Sequence, residues 1–73
     1  MKNEIITQYH VLIEDKNWKV LKKELQNLQP FEIAEIIDDL SKTDRLILFR
    51  LLPREPAAET FAHLSHEDQE EII

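Results

Sequence analysis

Carboxylates are the side chains of this sequence best able to do chemistry. Glu35, Asp38 and Asp39 lie close together in one segment, and Glu55 and Glu59 lie four residues apart in another. Like charges at that spacing destabilise a helix by about 0.2–0.5 kcal/mol. Mg²⁺ is bound typically by one or two carboxylates together with several retained waters. Glu55, Asp38 and Asp39 are therefore candidate ligands for Mg²⁺. The same residues are also compatible with a helix face that is merely hydrated, and composition does not separate the two.

The acids are concentrated in the second part of the chain. Residues 1–29 carry five lysines against four acids, a net charge of +1, whereas residues 30–73 carry four basic residues against eleven acids, a net charge of −7. A surface this negative repels phosphate backbones and anionic lipid, so nucleic-acid binding is not expected. It attracts cations or basic partners.

The sequence offers few other residues suited to catalysis or to zinc binding. The chain has no cysteine, and Ser41 and Ser65 are better explained as helix caps, so an enzyme has no support in the sequence. His63 and His66 would suit one zinc ion only on a continuous helix, and the cap predicted at Ser65 interrupts that helix. A structural zinc site also needs four ligands from Cys and His.

No targeting or membrane-spanning segment is expected. The first four residues lack the apolar stretch of a signal peptide. The longest apolar run, residues 46–49, ends at Arg50 and falls far short of the roughly 18 residues of a membrane helix. We therefore expect a soluble segment that does not itself enter the membrane.

The elements that must position these side chains are predicted to be helices. The sequence has no glycine. Two-residue hairpin turns and phosphate-cradling loops favour glycine, so neither is expected here. Apolar residues recur at helical spacing in six segments, which predicts an all-α fold. Pro30 is expected at a helix start, Asp15 or Asn17 as the cap of the second helix, and Trp18 and Phe49 in the core. The six segments are residues 5–13, 18–28, 33–40, 47–52, 56–64 and 67–73.

An internal repeat organises the chain. Two S-x-x-D capping motifs, Ser41–Asp44 and Ser65–Asp68, lie 24 residues apart. The same offset pairs Leu40 with Leu64 and further residues at core, cap and acidic positions. Such a period predicts stacked helix pairs. We expect leading helices over residues 1–28, one repeat over 28–51 and a second over 52–73. The last repeat ends on two isoleucines, so we expect a domain truncated at its C-terminal end and self-association through that apolar edge.

Three segments resemble a known family. Residues 28–37, LQPFEIAEII, resemble the L-x-P-x-D-[IL]-A-x-[IL] opening of the amino-terminal cytosolic domain of MgtE-type magnesium transporters. Residues 51–59, LLPREPAAE, are similar to its L-L-P-x-x-x-A-A-E segment, and residues 63–69, HLSHEDQ, to its H-L-S-x-E-x-Q cap. Glu32, where Asp is commoner, and the extra Pro56 depart from the pattern.

The resemblance implies a right-handed superhelix of short helices that precedes a pair of CBS domains and a membrane domain in a homodimeric transporter. In the family, Mg²⁺ binds between acidic faces of this domain and the CBS domains and favours the closed pore. Glu59 matches the family's A-A-E position, where a carboxylate takes part in Mg²⁺ binding. The resemblance thus implies a regulatory Mg²⁺ sensor on the cytoplasmic side of the membrane. The alternative is a helical protein–protein interaction module without ion sensing, like the amino-terminal region of the flagellar motor switch protein.

Overall fold

The computed structural model describes the backbone of residues 2–73 and the side chains of residues 4–73. Six helices follow one another in these residues, and no strand is present among them, which confirms the predicted all-α fold. Helices α3 and α4 fall within the first predicted repeat, and α5 and α6 within the second. The repeat boundaries and the hand of the stack stay predictions. The helices are α1 (Lys2–Glu14), α2 (Trp18–Gln26), α3 (Pro30–Asp39), α4 (Lys42–Arg50), α5 (Arg54–His63) and α6 (His66–Ile72).

The turn between α1 and α2 is made without glycine. Lys16 adopts a left-handed conformation with φ of 55°. The backbone N–H of Lys16 donates to Ile13 O at 3.0 Å, and the N–H of Asn17 donates to Leu12 O at 2.9 Å. This pair of bonds forms a Schellman motif, which satisfies carbonyls at the end of α1 and normally has glycine at the left-handed position.

Capping side chains start three of the helices. Ser41 Oγ accepts a hydrogen bond from the backbone N–H of Asp44, and Ser65 Oγ accepts one from that of Asp68, as the repeated motif predicts. Helix α3 begins at Pro30, also as predicted, and the Glu32 side chain accepts the backbone N–H of Gln29, a capping bond that the sequence analysis missed. The predicted cap of α2 is only partly right. Asn17 occupies the N-cap position, but its side chain makes no capping bond.

The buried hydrophobic core draws residues from α1 to α4, and Leu40 and Leu64 join it from the positions that follow α3 and α5. Leu21, Ile37 and Leu48 are completely shielded from solvent. Phe49 packs at the margin of this core, edge to face against Phe61 with ring centroids 6.2 Å apart. The buried hydrophobic residues are Tyr9, Ile13, Leu21, Leu25, Ile33, Ala34, Ile37, Leu40, Leu48 and Leu64.

The prediction that Trp18 is a core residue is wrong. Its side chain is 36% exposed. Trp18 is the first residue of α2, one turn before Leu21 and two turns before Leu25, which anchor that helix in the core. Helical spacing identified the correct face, but the position at the helix end leaves the indole at the margin of the packed layer.

Helix α3 lies at the centre of the packing. It packs most extensively on α5 and also contacts α4, while α4 contacts α1 and α6. The whole measures 28 × 21 × 21 Å. None of the helices in the described residues has the length and apolar character needed to cross a bilayer.

Candidate functional site

Glu55 and Glu59 stand together on the exposed side of α5. The two carboxylates are one helical turn apart, and both line an open groove of about 520 Å³, which we call the α5 groove. Lys22 is the one basic residue in its lining. The other lining residues are Leu25, Gln26, Leu28, Pro30, Ile33, Leu51, Leu52, Pro53 and Pro56. The structure therefore presents the two acids as a pair at the rim of an apolar depression.

Asp38 and Asp39 lie in different grooves. Successive residues of a helix point about 100° apart, so these neighbours in sequence diverge in space. Asp39 lines a groove of about 330 Å³ between α1 and α3, called here the α1–α3 groove. Asp38 lines one of about 450 Å³, called here the α3–α6 groove, together with His63 and Asp68.

The four predicted ligands are thus divided among three grooves. Among the side chains that the structure describes, no cluster of three or more His, Asp or Glu residues is arranged to hold a metal ion. His63 ends α5 and His66 begins α6, so the cap at Ser65 separates them as predicted. Only Glu55 and Glu59 remain together as a candidate carboxylate pair.

Arg45 joins α3, α4 and α6 in an interaction that the sequence analysis did not predict. Its Nε donates to Leu40 O at 2.9 Å and its Nη2 to Asp38 O at 2.8 Å. Both acceptors are carbonyls at the C-terminal end of α3, where helical partners run out. Nη1 donates to Asp68 Oδ1 and to Glu71 Oε2, each at 2.9 Å. One guanidinium therefore closes the end of α3 and holds α6 against it.

Asp68 is an unusually placed carboxyl. Its side chain is 4% exposed, and its Oδ2 receives no hydrogen bond from any donor in the described residues. Burial raises the pKa of Asp68, and the neighbouring carboxyl of Asp38 raises it further. Arg45 and Ser65 lower this pKa without reversing the shift. Burial beside a second carboxylate therefore disfavours the ionised form of Asp68.

The corresponding residue of the first repeat, Asp44, binds α1. His10 Nδ1 lies 2.6 Å from Asp44 Oδ2, and His10 Nε2 lies 3.0 Å from Glu14 Oε1. The hydrogen bond to Asp44 is the main cause that raises the pKa of His10, and the charges of Asp44 and Glu14 add to it. Asp44 is 6% exposed, so a helix-capping motif also supplies a buried ion-pair partner.

The repeat offset extends to these partners. Asp44 and Asp68 are 24 residues apart, and so are the residues that follow them, Arg45 and Gln69. Gln69 Nε2 donates to Phe61 O at 2.8 Å, so it binds a carbonyl near the end of α5 as Arg45 binds carbonyls near the end of α3. The signal in the sequence is a basic or amide side chain directly after each S-x-x-D motif.

Comparison with known proteins identifies relatives. The family model described as "MgtE intracellular N domain" matches residues 28–73, which are 46 of the 73 residues. The chain is also 27% identical over 71 residues to "Magnesium transporter MgtE" of Thermus thermophilus. That alignment covers 97% of this chain and 16% of the relative, so the chain spans about a sixth of the length of the transporter it matches.

Proposed function

The chain belongs to the MgtE intracellular N domain family, and from this premise we propose that it is the cytosolic regulatory domain of a magnesium transporter. In this proposal its acidic face senses Mg²⁺, docks on CBS domains of the same polypeptide and favours the closed pore. The membrane domain follows in that polypeptide, and the transporter is a homodimer. The domain itself lies on the cytoplasmic side of the membrane.

The observation that carries the proposal is the Glu55–Glu59 pair. Both side chains are exposed on one face of α5, and neither makes an ion pair or a side-chain hydrogen bond among the described residues. Glu59 lies in the segment that the family model matches. Two unpaired carboxylates one turn apart repel each other. A cation placed between them and an opposing surface would relieve that repulsion.

The chemistry of the pair suits a weak Mg²⁺ site. A hard divalent cation accepts one or two carboxylates and keeps several waters, so two glutamates supply this domain's share of a site. A facing acidic surface would supply the remainder. When the ion is absent, Glu55 and Glu59 repel such a surface, and the net charge of −6 on the chain adds to the repulsion at longer range.

The energy required is modest for each site. A ligand at nine times its Kd stabilises the conformation it prefers by about 1.4 kcal/mol. A full switch between two conformations requires about 5.5 kcal/mol. Several weak interfacial sites acting together therefore reach the switching range, whereas one such site does not.

The test uses the intact transporter and the Glu55→Gln/Glu59→Gln double variant. Limited proteolysis of this domain is followed as Mg²⁺ is raised, because docking protects the domain. Removing a contribution of about 1.4 kcal/mol lowers the docking equilibrium constant about tenfold at a given Mg²⁺ concentration, so the Mg²⁺ concentration needed for protection should rise. The control, Glu67→Gln/Glu70→Gln, removes the same charge from exposed positions of α6 and should leave the midpoint unchanged.

Two results would contradict the proposal. Equal midpoints for the α5 variant and the α6 control would show that the effect is general surface charge. Protection that occurs without Mg²⁺ and ignores its concentration would instead identify a helical protein–protein interaction module without ion sensing.

A further inference from the structure

The α1–α3 groove has the size and walls of a small-ligand site. Its volume of about 330 Å³ lies at the lower end of the range of ligand pockets, about 300–1,000 Å³. Apolar side chains from α1, from the turn between α2 and α3, and from α3 form much of its surface. They are Ile5, Ile6, Leu12, Leu28 and Ile36.

The hydroxyl of a buried tyrosine opens onto this groove. Tyr9 is 6% exposed and lines the groove. Its hydroxyl makes no hydrogen bond with any described residue and is not among the fully shielded polar atoms, so it stays accessible to water or a ligand. Burial raises the pKa of Tyr9, and the negative charges of Glu24 and Glu32 raise it further. The hydroxyl is thus a polar group that lies near two carboxylates and has no hydrogen-bond partner among the described residues.

The charge around the groove is of one sign. Glu24, Glu32, Glu35 and Asp39 are in the lining, and no lysine or arginine is among the lining residues described. Glu32 uses Oε1 to accept the backbone N–H of Gln29 at 2.9 Å, which leaves its second oxygen available. These described side chains favour a cationic ligand for the groove.

The apolar walls select among cations. A hydrated Mg²⁺ ion would place its waters against isoleucine and leucine side chains, and this contact would contribute no favourable binding free energy. An alkylammonium ion can bury its stem against them while its head group donates hydrogen bonds to oxygen acceptors.

We propose that the α1–α3 groove binds a primary alkylammonium group carried on an apolar stem. The Tyr9 hydroxyl and the carboxylates of Glu24 and Glu32 accept hydrogen bonds from the ammonium, and the isoleucine and leucine side chains contact the stem. This site is separate from the Glu55–Glu59 pair, which lies on α5 and lines another groove. Its ligand differs too, so either proposal can fail while the other holds.

The experiment is an NMR titration of this chain at constant ionic strength. Spermidine represents a free polyamine, and Nα-acetyl-lysine N-methylamide represents the lysine side chain of a polypeptide. We expect saturable shifts of the backbone amides around Tyr9, Glu24 and Glu32 with at least one of the two, and the tighter ligand identifies the source. Ammonium chloride, which lacks the stem, should give no saturable shift. Failure of both alkylammonium probes to bind saturably overturns the proposal.

Two variants locate the site. Glu24→Gln/Glu32→Gln weakens binding about tenfold, since each partly exposed ion pair contributes about 0.2–1 kcal/mol. Glutamine at position 32 still accepts the backbone N–H of Gln29. Tyr9→Phe keeps the ring and removes the hydroxyl, and weakens binding about threefold. The matched control Glu67→Gln/Glu70→Gln leaves the affinity unchanged. An equal loss in the control and in the groove variant would show nonspecific attraction and refute the site.

Discussion

Replacing Arg45 by methionine tests the junction between α3, α4 and α6. Methionine keeps an unbranched apolar side chain but removes all of the donors. The variant therefore loses the two hydrogen bonds to Asp38 O and Leu40 O and the ion pairs to Asp68 and Glu71. Asp68 is left with neither oxygen paired to a cation.

The cost is built up from these losses. Each backbone carbonyl bond contributes about 1 kcal/mol net. Breaking a fully buried ion pair costs about 3–5 kcal/mol, but the Arg45 side chain is 17% exposed and Asp68 can take up a proton, so its loss costs less. The Glu71 side chain is 31% exposed and adds under about 1 kcal/mol. We expect a total of about 3 kcal/mol, out of the roughly 4–11 kcal/mol usual for a domain of this length.

Urea unfolding followed by far-ultraviolet circular dichroism measures this effect. With a slope of about 1 kcal/mol/M for a small domain, the midpoint should fall by about 3 M. The control is Arg50→Met, because Arg50 is exposed and makes no hydrogen bond or ion pair among the described residues. The free energy of unfolding of this control should change by under about 0.5 kcal/mol. The reasoning is refuted if the two variants unfold at the same urea concentration.

The pH dependence gives a second check on the same variant. The pKa of Asp68 is raised in the folded state, so its contribution to stability is full below its unfolded pKa of about 3.8 and is lost as pH rises through the folded value. Without Arg45, which lowers this pKa, the loss on raising pH should be larger. The deficit of the Arg45→Met variant should therefore shrink as pH falls from 7 toward 4, and a constant deficit would contradict the account.

Three further predictions address other parts of the fold. Thr60→Val should raise the free energy of unfolding by about 1 kcal/mol, because Thr60 Oγ1 is buried with no hydrogen-bond partner among the described residues. A Tm increase of about 4–8 °C would be measured by calorimetry, and a decrease would contradict it. Lys16→Gly should raise the free energy of unfolding by about 1 kcal/mol, measured with urea, since Lys16 has a φ of 55° that glycine adopts without strain. The control Lys19→Gly lies within α2 and should instead lower the free energy of unfolding by about 1 kcal/mol. Asp44→Asn should return the pKa of His10 toward 6.5, followed by NMR of the ring, because the bond to Asp44 is the main cause of the raised value. A raised pKa makes the contribution of His10 to stability full below about pH 6.5 and lost as pH rises through the folded value, and Asp44→Asn should flatten that slope.

Much of the fold follows from signals that are local in sequence. Pro30 marks the start of α3, and the two serine caps mark the starts of α4 and α6. Helix α5 begins at Arg54, two residues before the expected start at Pro56. Proline is tolerated in a first turn because the N–H it lacks would have no helical partner there. Proline therefore marked the first turn of α5 correctly, but the predicted first residue of the helix was two positions too late.

The site was harder to predict because its interactions are long-range. Arg45 and its partners on α6 are 23 and 26 residues apart, and no local rule brings them together. Neighbouring acids also mislead, since Asp38 and Asp39 line different grooves. Glu55 and Glu59 could be grouped correctly because a spacing of four places two side chains on one helical face.

The capping motifs change the meaning of the acidic charge. Asp44 reaches back to His10 on α1, and Asp68 reaches back to Arg45 on α4, so each S-x-x-D aspartate binds a base on an earlier helix. Glu71 is held by the same guanidinium. Three of the eleven acids in residues 30–73 therefore stabilise the stack, and the net charge of −7 overstates what a ligand can reach. The acids left for recognition lie at the rims of the grooves, where Glu55 and Glu59 form the exposed pair suited to a metal ion, and Glu24 and Glu32 flank a tyrosine suited to an organic cation.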